Sequence, residues 1–582
     1  VDQWYKLGIE WDKSGNDVAY WINDVLQVQD TANNLYQTNS PAQLMMYSSS
    51  SYSLNWFWKD IRIDGDAMPV GCGNNFSADT DIFGLYNFEP GALAVDLSGN
   101  SQTLTPTNSP VTDASRRIVG SGSVGYDTTS DRYHYRTDAN LASGHPYKSA
   151  TGEVDFSETF WMYMDTANST AQSYIISKYN PVSGGRKFAI AQDTSSGSQT
   201  GTNNSLFIYH GYGDTSYSTN LQSDVELDAD KWYFVHHSYH AALNGHKLRI
   251  WDQAASQWLY KEPIDYENIY YEETENMNSG TGNFIIGTRG DAESTRFFTG
   301  NIDELTIFDR VISDFDANRI MKGIYDSTIS SSNDFSGNGD IFSLYHFEPG
   351  DLTTDDSLQN NTLTASATAP ASDPNFFIRG TGSINYDITD TSYHYITNTN
   401  LSFGHPFKST SGESDFTITG WFMIEDVTTD VKYLFSKYNA ADGYRQFAIC
   451  HDDNTGSVTG YANALYILHG YNSGLSNYDT HQVDVALKQG YWYWIHHSYN
   501  ASTNTHRTRL WDDSNQSWLT GGAVSTSFSG DDMYVSSLSN FVIGQRHDGN
   551  SLRNFDGRID EWIVFDEVIS DTDADKIREG TY

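Results

Sequence analysis

The chain has 582 residues, of which 38% are hydrophobic and 14% aromatic, so it is long enough for three or four domains and apolar enough to bury their cores. Its formal charge of −41 is spread along the whole chain and would repel phosphate backbones and anionic lipid, which argues against nucleic acid and membrane-surface partners. No apolar run approaches the length of a membrane span, so we expect no membrane insertion.

Residues 1–66 have the pattern of the second half of a domain whose first half is missing. Trp4 begins a segment that corresponds to the one beginning at Trp232, and residues 57–63 correspond to a closing strand near residues 298–303. A half sandwich exposes its core face and should not fold alone. We therefore expect the chain to be a fragment of a longer polypeptide, or to lack its opening residues.

Two complete copies of one domain follow, called module 1 and module 2 below. Residues 81–91 (DIFGLYNFEPG) return 259 positions later as 340–350 (DIFSLYHFEPG), and Trp232 returns as Trp492 after 260 positions. Such regular recurrence indicates a repeat architecture, and the short segments between copies suggest that the modules lie close together. The predicted segments are, in chain order, 1–66 for the half domain, 67–78 for a linker, 79–325 for module 1, 326–337 for a second linker and 338–582 for module 2.

Within each module the hydrophobic pattern is that of short strands, because runs of aromatic and β-branched residues alternate with clusters of Gly, Asp, Asn and Ser. One helix is predicted near each module's end, where Ser313 or Ser570 can serve as N-cap before two aspartates. These features predict an all-β chain of tandem antiparallel β-sandwiches of the jelly-roll type. The strands predicted in module 1 include residues 161–164, 188–191, 206–209, 232–238, 248–251 and 283–287.

The chain has two cysteines, Cys72 and Cys450, far apart in sequence. Cys450 ends the apolar run of residues 447–450, where a small buried side chain is the usual occupant. A disulfide framework is therefore not how these modules are stabilised.

A set of motifs recurs in order along each module. In module 1 it comprises Leu-Tyr-x-Phe-Glu at 85–89, the turn at 96–100, Ser-Lys-Tyr at 177–179 and Phe-x-Gly-x-Ile-Asp-Glu at 298–304. In this order the set resembles laminin-G-like domains of the concanavalin A-like lectin/glucanase superfamily, and the resemblance covers nearly all of the chain. It implies concanavalin A-like sandwiches that bind a glycan or a protein on extracellular or viral surfaces, although a fold alone does not define a function.

The same resemblance implies a structural Ca²⁺ where the loop after the first strand meets the closing strand, since Ca²⁺ takes six to eight hard oxygen ligands. In module 2 the pair Gly99–Asn100 becomes Leu358–Gln359, which departs from the pattern. The alternative is a turn whose Asp and Ser cap their own backbone, with Asp303 or Glu304 paired to an arginine. The matching residues are Asp96, Asn100 and Asp303 in module 1, and Asp355, Asn360 and Asp560 in module 2.

Residues 153–158 match the Glu-x-Asp-x-x-Glu signature of retaining endoglucanases in that superfamily. Retention requires two carboxyl groups about 5–5.5 Å apart on a shared face. Ser157 stands where the signature prefers an apolar residue, the segment lies at a strand entrance, and module 2 has Ile418 in place of the second glutamate. We therefore predict that the protein is not an enzyme.

Histidines recur in both modules, beginning with the adjacent pair His236 and His237. Neighbours on a strand point to opposite faces and cannot hold one metal together, so we expect one to line the core beside a tyrosine and the other to face outward. The histidine and tyrosines of residues 133–135 could stack on sugar rings. Shared ancestry of the modules explains their recurrence without a ligand.

The favoured interpretation is a non-catalytic adhesion or recognition segment that binds a surface glycan through tandem lectin-like sandwiches, with calcium either structural or bridging to the ligand. The alternative is a structural spacer or decoration of a phage or virus fibre, a capsid appendage or a cell-surface filament, which contacts only neighbouring structural protein. Either role predicts an extracellular, cell-surface or virion location within a larger assembly. Exposed aromatic residues clustered on one sheet would favour sugar binding, whereas a flat polar face would favour assembly.

Overall fold

A computed structural model describes most of the chain. Cys72, Trp4, residues 57–63 and most of the first predicted linker lie outside the described residues. The described residues are 7–12, 17–22 and 25–30, for which only the backbone is described, and 74–582 except 128, 166–170, 182–184, 214–215, 262–268, 294, 329–332, 426–429, 441, 472–476, 520–522 and 529–531.

The chain divides into two units, Val1–Ile63 and Asp64–Tyr582. In the first unit, strands β1 (Leu7–Asp12), β2 (Asp17–Ile22) and β3 (Val25–Asp30) form an antiparallel sheet in the order β1-β2-β3. The boundaries of the half domain, the linkers and the modules within this division stay predictions.

Module 1 is built from short strands and ends in one α-helix, as its turn-rich pattern predicts. Single-turn 3-10 helices occur at Asp138–Asn140, Ser149–Thr151 and Ala241–Leu243. The main elements are β4 (Ile82–Tyr86), β5 (Thr105–Thr107), β6 (Val111–Asp113), β7 (Ser123–Tyr126), β8 (Tyr133–Arg136), β9 (Phe156–Met164), β10 (Ser173–Asn180), β11 (Gly185–Gln192), β12 (Leu206–Gly211), β13 (Tyr217–Ser218), β14 (Lys231–His240), β15 (Gly245–Asp252), β16 (Gln257–Leu259), β17 (Tyr270–Glu272), β18 (Phe284–Ile286), β19 (Gly300–Phe308) and α1 (Asp314–Met321).

These strands form two antiparallel sheets. The seven-stranded sheet has the order β13-β12-β11-β10-β18-β8-β5, and the nine-stranded sheet has the order β16-β15-β14-β9-β19-β7-β6 with β17 beside β15 and β4 beside β19. Alternate residues of each strand point into the space between the sheets, as the two-residue period of a strand requires. The core there includes Phe160 and Val235 from one sheet and Ile190 and Ile208 from the other, each 0–1% exposed.

The outer face of the nine-stranded sheet is covered by α1. The helix begins after Ser313, whose side-chain oxygen accepts a hydrogen bond from Asp316 N, and its Ile320 packs in a second apolar cluster with Trp161 and Phe234. The predicted N-cap and helix are confirmed. This helix explains why both faces of the central strands are apolar.

Module 2 repeats this architecture. Its sheets have the orders β21-β24-β34-β26-β27-β28-β29 and β22-β23-β35-β25-β30-β31-β32, the latter with β20 beside β35 and β33 beside β31. Its elements are β20 (Ile341–Tyr345), β21 (Thr364–Ala365), β22 (Ala371–Asp373), β23 (Ser383–Tyr386), β24 (His394–Ile396), β25 (Phe416–Ile424), β26 (Lys432–Asn439), β27 (Tyr444–His451), β28 (Leu465–Gly470), β29 (Tyr478–Gln482), β30 (Trp492–Asn500), β31 (Thr505–Asp512), β32 (Ser517–Trp518), β33 (Val524–Ser527), β34 (Phe541–Ile543), β35 (Gly557–Phe565) and α2 (Asp571–Glu579), with a 3-10 turn at Ser551–Arg553.

The chain is therefore an all-β protein of tandem antiparallel β-sandwiches, which confirms the predicted fold class. Cys450 is fully buried in module 2, as its apolar neighbours predict. Among the described residues, none of the helices has both the length and the apolar character needed to cross a membrane.

The two modules contact each other directly within the second unit. Asp513 of module 2 lies 3.4 Å from the Arg249 guanidinium and accepts a 3.0 Å hydrogen bond from Asn318, both in module 1. Beside this polar group, the rings of Tyr260 and Tyr491 meet edge to face at 5.0 Å. The short linker thus brings the modules into contact, as its length suggests.

Candidate functional site

The outer face of the seven-stranded sheet in module 1 carries a cluster of tyrosines. On β12, Phe207 and Tyr209 point outward, while Ile208 between them points into the core. Ala189 and Ala191 occupy the outer face of the neighbouring strand β11, and their small side chains leave room for large rings on either side. Tyr174 of β10 consequently stacks on Tyr209 with ring centroids 5.3 Å apart.

At the open edge of this sheet an arginine is held between two tyrosine rings. The Arg186 guanidinium lies 5.3 Å from the Tyr179 ring centroid and 5.1 Å from that of Tyr217. Tyr217 is on the last strand, β13, and is 45% exposed. Gly211 faces it across the hairpin, where an added Cβ would lie 2.5 Å from the Arg186 carbonyl oxygen, so only glycine allows the strands to approach this closely.

Module 2 has the same arrangement at the same edge. The Arg445 guanidinium lies 5.1 Å from the Tyr438 ring and 4.7 Å from the Tyr478 ring, and Tyr478 is 39% exposed. Gly470 faces Tyr478, as Gly211 does Tyr217. We call these two surfaces the Tyr–Arg edges. They are Tyr179, Arg186 and Tyr217 in module 1, and Tyr438, Arg445 and Tyr478 in module 2.

The exposed aromatic side chains concentrate near these edges. Of the five described aromatic side chains that are exposed, Tyr212, Tyr217 and Tyr478 belong to the edge hairpins or directly follow their strands, whereas Phe403 and Tyr461 lie in loops elsewhere. An exposed ring beside a braced guanidinium offers an apolar face and several N–H donors to one ligand. Such a surface can stack on a sugar ring and bond its hydroxyl or carboxylate oxygens.

The inner tyrosines of both edges are neutral phenols. Burial raises the pKa of Tyr179 and that of Tyr438 well above the ordinary value for a tyrosine. The cation of each edge therefore contacts uncharged rings.

The adjacent histidines of β14 are both buried, contrary to the expectation that one faces outward. His237 points between the sheets, where its Nδ1 lies 2.9 Å from Glu158 Oε1 rather than beside a tyrosine hydroxyl. His236 points to the opposite face, as strand geometry requires, but α1 covers that face and Asp314 lies 3.9 Å away. His134 is also internal, with its Nδ1 2.8 Å from the Tyr126 hydroxyl.

The residues of the glycosidase-like signature take up structural positions. Glu153 accepts hydrogen bonds from the Tyr239 hydroxyl and from Met277 N, and Asp155 accepts one from Ala241 N. Glu158 is 0% exposed within the core. A carboxyl group at that depth has no direct contact with a sugar at the surface.

The loop residues predicted to bind calcium in module 1 are engaged by their own loop. Asp96 accepts hydrogen bonds from the backbone N–H groups of Leu85, Ser98 and Gln102 and from the Ser98 hydroxyl. Asn100 donates to the Ile82 carbonyl oxygen at 2.6 Å. This is the self-capped turn expected as the alternative to a metal site.

Asp303 lies on the closing strand, where its Oδ2 accepts hydrogen bonds from Ile118 N at 2.9 Å and Val119 N at 3.3 Å. Its partners are therefore backbone N–H groups rather than the arginine of the alternative interpretation. Burial raises the pKa of Asp303 to about 7.

In module 2 the equivalent loop aspartate and closing-strand aspartate are also held by backbone N–H groups. Asp355 accepts bonds from Leu344 N, Ser357 N and Asn361 N, and Asp560 accepts bonds from backbone N–H groups of the 378–379 loop. Asn360 is exposed with a left-handed φ of +55°. Within the described parts of the chain, no three His, Cys, Asp or Glu side chains form a group that could hold a metal. Calcium at the six named residues stays a prediction.

The Tyr–Arg edges were not identified from the sequence, although a signal was present. Arg186 and Arg445 are 259 positions apart, and Tyr217 and Tyr478 are 261 apart, so both recur with the repeat. In module 1 the arginine and the exposed tyrosine lie on different strands, β11 and β13, and only the pairing of both strands with β12 shows that the two side chains meet.

No family model and no curated protein matches the chain. Among solved structures, the binding domain of botulinum neurotoxin DC in complex with SialylT is 11% identical at a TM-score of 0.30, with 87% of this chain and 98% of that chain covered. CBM40 of the Ruminococcus gnavus IT-sialidase is 12% identical at a TM-score of 0.22, covering 28% and 83%. The SAP-like pentraxin of Limulus polyphemus is 16% identical at a TM-score of 0.21, covering 29% and 69%.

Two of these three structures are named as a binding domain and as CBM40. At these identities and TM-scores they do not bear on the ligand of this chain. Membership of the laminin-G branch in particular stays a prediction.

Proposed function

We propose that the tandem modules bind glycans and that the Tyr–Arg edge of each module is the contact surface. The observation that carries this proposal is the recurrence of an exposed tyrosine beside a braced arginine at the same hairpin of both modules. The tyrosine ring would pack on the C–H face of a sugar, and the guanidinium would donate hydrogen bonds to its oxygens.

In this proposal the chain is a non-catalytic adhesion or recognition segment at a cell surface or virion. Two equivalent edges on one chain can engage a multivalent surface, so modest single-site affinities combine into avidity. The protein's high negative charge keeps it soluble and limits binding to phosphate-rich or lipid surfaces, which leaves the local arginines to select the ligand.

The test is binding of the full chain to a glycan array that includes neutral sugars and sialyllactose, the ligand named for another CBM40 structure. We expect Tyr217→Ala and Tyr478→Ala each to weaken binding about tenfold and the double variant to abolish array signal. Phe403→Ala is the matched control, because Phe403 is 88% exposed but lies outside both edges. Equal effects of the control and the edge variants would contradict the proposal, as would no binding to any glycan.

One observation favours a structural role as the second candidate. The junction around Asp513 and Arg249 is buried, so it restrains the modules relative to each other as a spacer would require. A spacer would bind no glycan and would co-purify with intact particles or filaments of its source. Proteomics of such assemblies, set beside the array, separates the two roles.

A further inference from the structure

Three histidines of module 1 form a hydrogen-bonded row between the two sheets. They are His210 of β12, His246 of β15 and His237 of β14, and none is more than 1% exposed. His210 Nδ1 lies 2.9 Å from His246 Nε2, and His246 Nδ1 lies 2.9 Å from His237 Nε2. The partners at the two ends of the row therefore determine which ring nitrogens carry a hydrogen.

The first end of the row is a backbone carbonyl. His210 Nε2 lies 2.8 Å from the Glu275 carbonyl oxygen, which can only accept, so this nitrogen carries a hydrogen. Burial lowers the pKa of His210 and of His246 below the usual value for histidine, so both rings are neutral and have one N–H each. His210 Nδ1 then accepts from His246 Nε2, and His246 Nδ1 accepts from His237 Nε2. A neutral His237 is left with Nδ1 as an acceptor.

The second end of the row also presents an acceptor. His237 and Glu158 lie opposite each other on β14 and β9, with Nδ1 and Oε1 2.9 Å apart and both side chains 0% exposed. The other carboxyl oxygen, Oε2, accepts a 2.9 Å hydrogen bond from the Tyr147 hydroxyl. A carboxylate has no hydrogen to donate, so two lone pairs would face each other across this distance. One more proton between the two atoms removes that conflict.

The groups that surround His237 and Glu158 offer no other source of this hydrogen. The neutral side chains of the surrounding elements are His210, His246, Tyr147, Tyr239 and Phe188. The charged side chains nearby have other partners, namely Glu153 with the Tyr239 hydroxyl, Lys178 with Asp138, and Lys187 with two backbone carbonyl oxygens. The extra proton therefore has to come from solvent.

Module 2 completes the equivalent row without an extra proton. His497 Nδ1 lies 2.9 Å from the Thr508 hydroxyl, which donates its own hydrogen while its oxygen accepts from His481 Nε2 at 2.9 Å. His481 Nδ1 lies 2.8 Å from the Thr526 hydroxyl, which again has a hydrogen to donate. Burial lowers the pKa of His497 well below the usual value, as a neutral ring requires.

We infer that the core of module 1 binds one proton between His237 Nδ1 and Glu158 Oε1, and that the equivalent row of module 2 binds none. The proton joins either an imidazolium to a carboxylate or a neutral ring to a carboxylic acid, and both forms complete the row. This proton site is independent of glycan binding at the Tyr–Arg edges.

The bound proton makes the stability of module 1 depend on pH. In the unfolded chain neither side chain keeps a proton above the ordinary histidine pKa of about 6.5. Folding of module 1 therefore takes up one proton above that pH. Because the folded state binds more protons than the unfolded state, rising pH weakens module 1.

The test compares the unchanged full chain with Glu158→Gln between about pH 7 and about pH 8.5. A glutamine has an N–H for His237 Nδ1 and an oxygen for the Tyr147 hydroxyl, so it completes the row without the proton. We expect the opening equilibrium constant of module 1 in the unchanged chain, divided by that in Glu158→Gln, to rise about tenfold per pH unit. Hydrogen exchange followed by mass spectrometry measures this constant for each module separately.

Glu153→Gln is the matched control. Glu153 is a carboxylate of the same module that accepts from the Tyr239 hydroxyl and Met277 N and does not face a histidine nitrogen. This variant should leave the pH dependence of module 1 unchanged. A ratio for Glu158→Gln that stays constant with pH would overturn the inference, as would the same pH dependence in both variants.

Neutron diffraction from crystals of the unchanged chain gives a second readout that needs no variant to fold. We expect a hydrogen between His237 Nδ1 and Glu158 Oε1 in addition to the one on His237 Nε2. The gap between His497 Nδ1 and Thr508 should hold only the hydrogen of the hydroxyl. An empty gap beside Glu158, or a doubly protonated His497, would overturn the inference.

Discussion

Both modules bury a row of hydrogen-bonded histidines between their sheets, and the two rows end on different partners. In module 1, His210 Nδ1 lies 2.9 Å from His246 Nε2, and His246 Nδ1 lies 2.9 Å from His237 Nε2. The row of histidines ends on Glu158, which lies 2.9 Å from His237 and accepts a 2.9 Å hydrogen bond from the Tyr147 hydroxyl.

In module 2 the three equivalent histidines are joined to hydroxyl groups instead. His469 lies 2.9 Å from His506, which lies 3.2 Å from His497. His497 then lies 2.9 Å from the Thr508 hydroxyl, and that hydroxyl lies 2.9 Å from a fourth histidine, His481.

The partners change as a set between the modules. Glu158 and Tyr147 of module 1 correspond to Ile418 and Phe407 of module 2. The residue paired with the last histidine, His237 or His497, changes from leucine to Thr508. Within the described residues, every member of both histidine rows keeps a hydrogen-bond partner. A buried polar group is thus retained or replaced together with its partners, since leaving one unpaired costs more free energy than the hydrogen bond itself contributes.

The largest expected difference between the two modules concerns the ion cluster at the start of the terminal helix, α1 or α2. Asp314 lies 2.7 Å from Lys247 and 3.0 Å from Arg249 and is 4% exposed, because module 2 covers it. Its counterpart Asp571 pairs with Arg507 and Arg509 but is 46% exposed. We expect Asp314→Ala to lower the free energy of unfolding by about 4 kcal/mol and Asp571→Ala by less than about 1 kcal/mol.

Urea unfolding of the full chain measures both changes. Asp571→Ala serves as the control for Asp314→Ala, because each removes the first residue of a helix that faces two cations. Equal losses would show that burial at the junction does not determine how much the ion cluster contributes to the free energy of unfolding.

Exchanging the histidine partners should have the next largest effect. Glu158→Ile alone leaves His237 and the Tyr147 hydroxyl without their acceptor, so we expect a loss of about 3 kcal/mol. Adding Tyr147→Phe and Leu248→Thr imports the three exchanged partners of the histidines from module 2 and should recover most of that loss. The measurement is the free energy of unfolding of the single and triple variants, and a triple variant no more stable than the single one would refute the idea of a set.

The last prediction, which is the smallest per histidine and per pH unit, concerns two buried histidines that only module 2 has. His451 and His481 correspond to Gln192 and Leu221, and burial lowers their pKa values to about 3 and about 4. Below the usual pKa of 6.5 the unfolded chain binds protons that the folded module excludes. Module 2 should therefore lose about 1.4 kcal/mol per pH unit for each histidine relative to module 1, from about pH 6.5 down to about pH 4.

Hydrogen exchange followed by mass spectrometry reports each module separately across this pH range. The variant His451→Gln with His481→Leu gives module 2 the residues of module 1 at these two positions and should remove the part of the difference that they cause. The expectation would be contradicted if module 1 lost its protection from hydrogen exchange at a higher pH than module 2.

Repetition and periodicity were enough to predict the sandwich, its strands and the capped helix at Ser313, because these features depend on neighbours in sequence. The environment of β14 was harder to predict. Strand alternation correctly places His236 and His237 on opposite faces, but it carries no information about α1, which buries the outer one. The residues of the candidate site were harder still to predict, since Arg186 and Tyr217 meet only across paired strands.

By itself, the sequence determined that this protein is a tandem array of all-β modules, because a repeat and an alternating pattern are written along the chain. Only the tertiary structure decided which residues face solvent together and which buried groups share a hydrogen bond. The Tyr–Arg edges and the pair of His237 and Glu158 both depend on strand register, and a shift of one residue changes the face to which a side chain points. Local pattern sets the elements, whereas pairing between distant strands sets the chemistry of the surface.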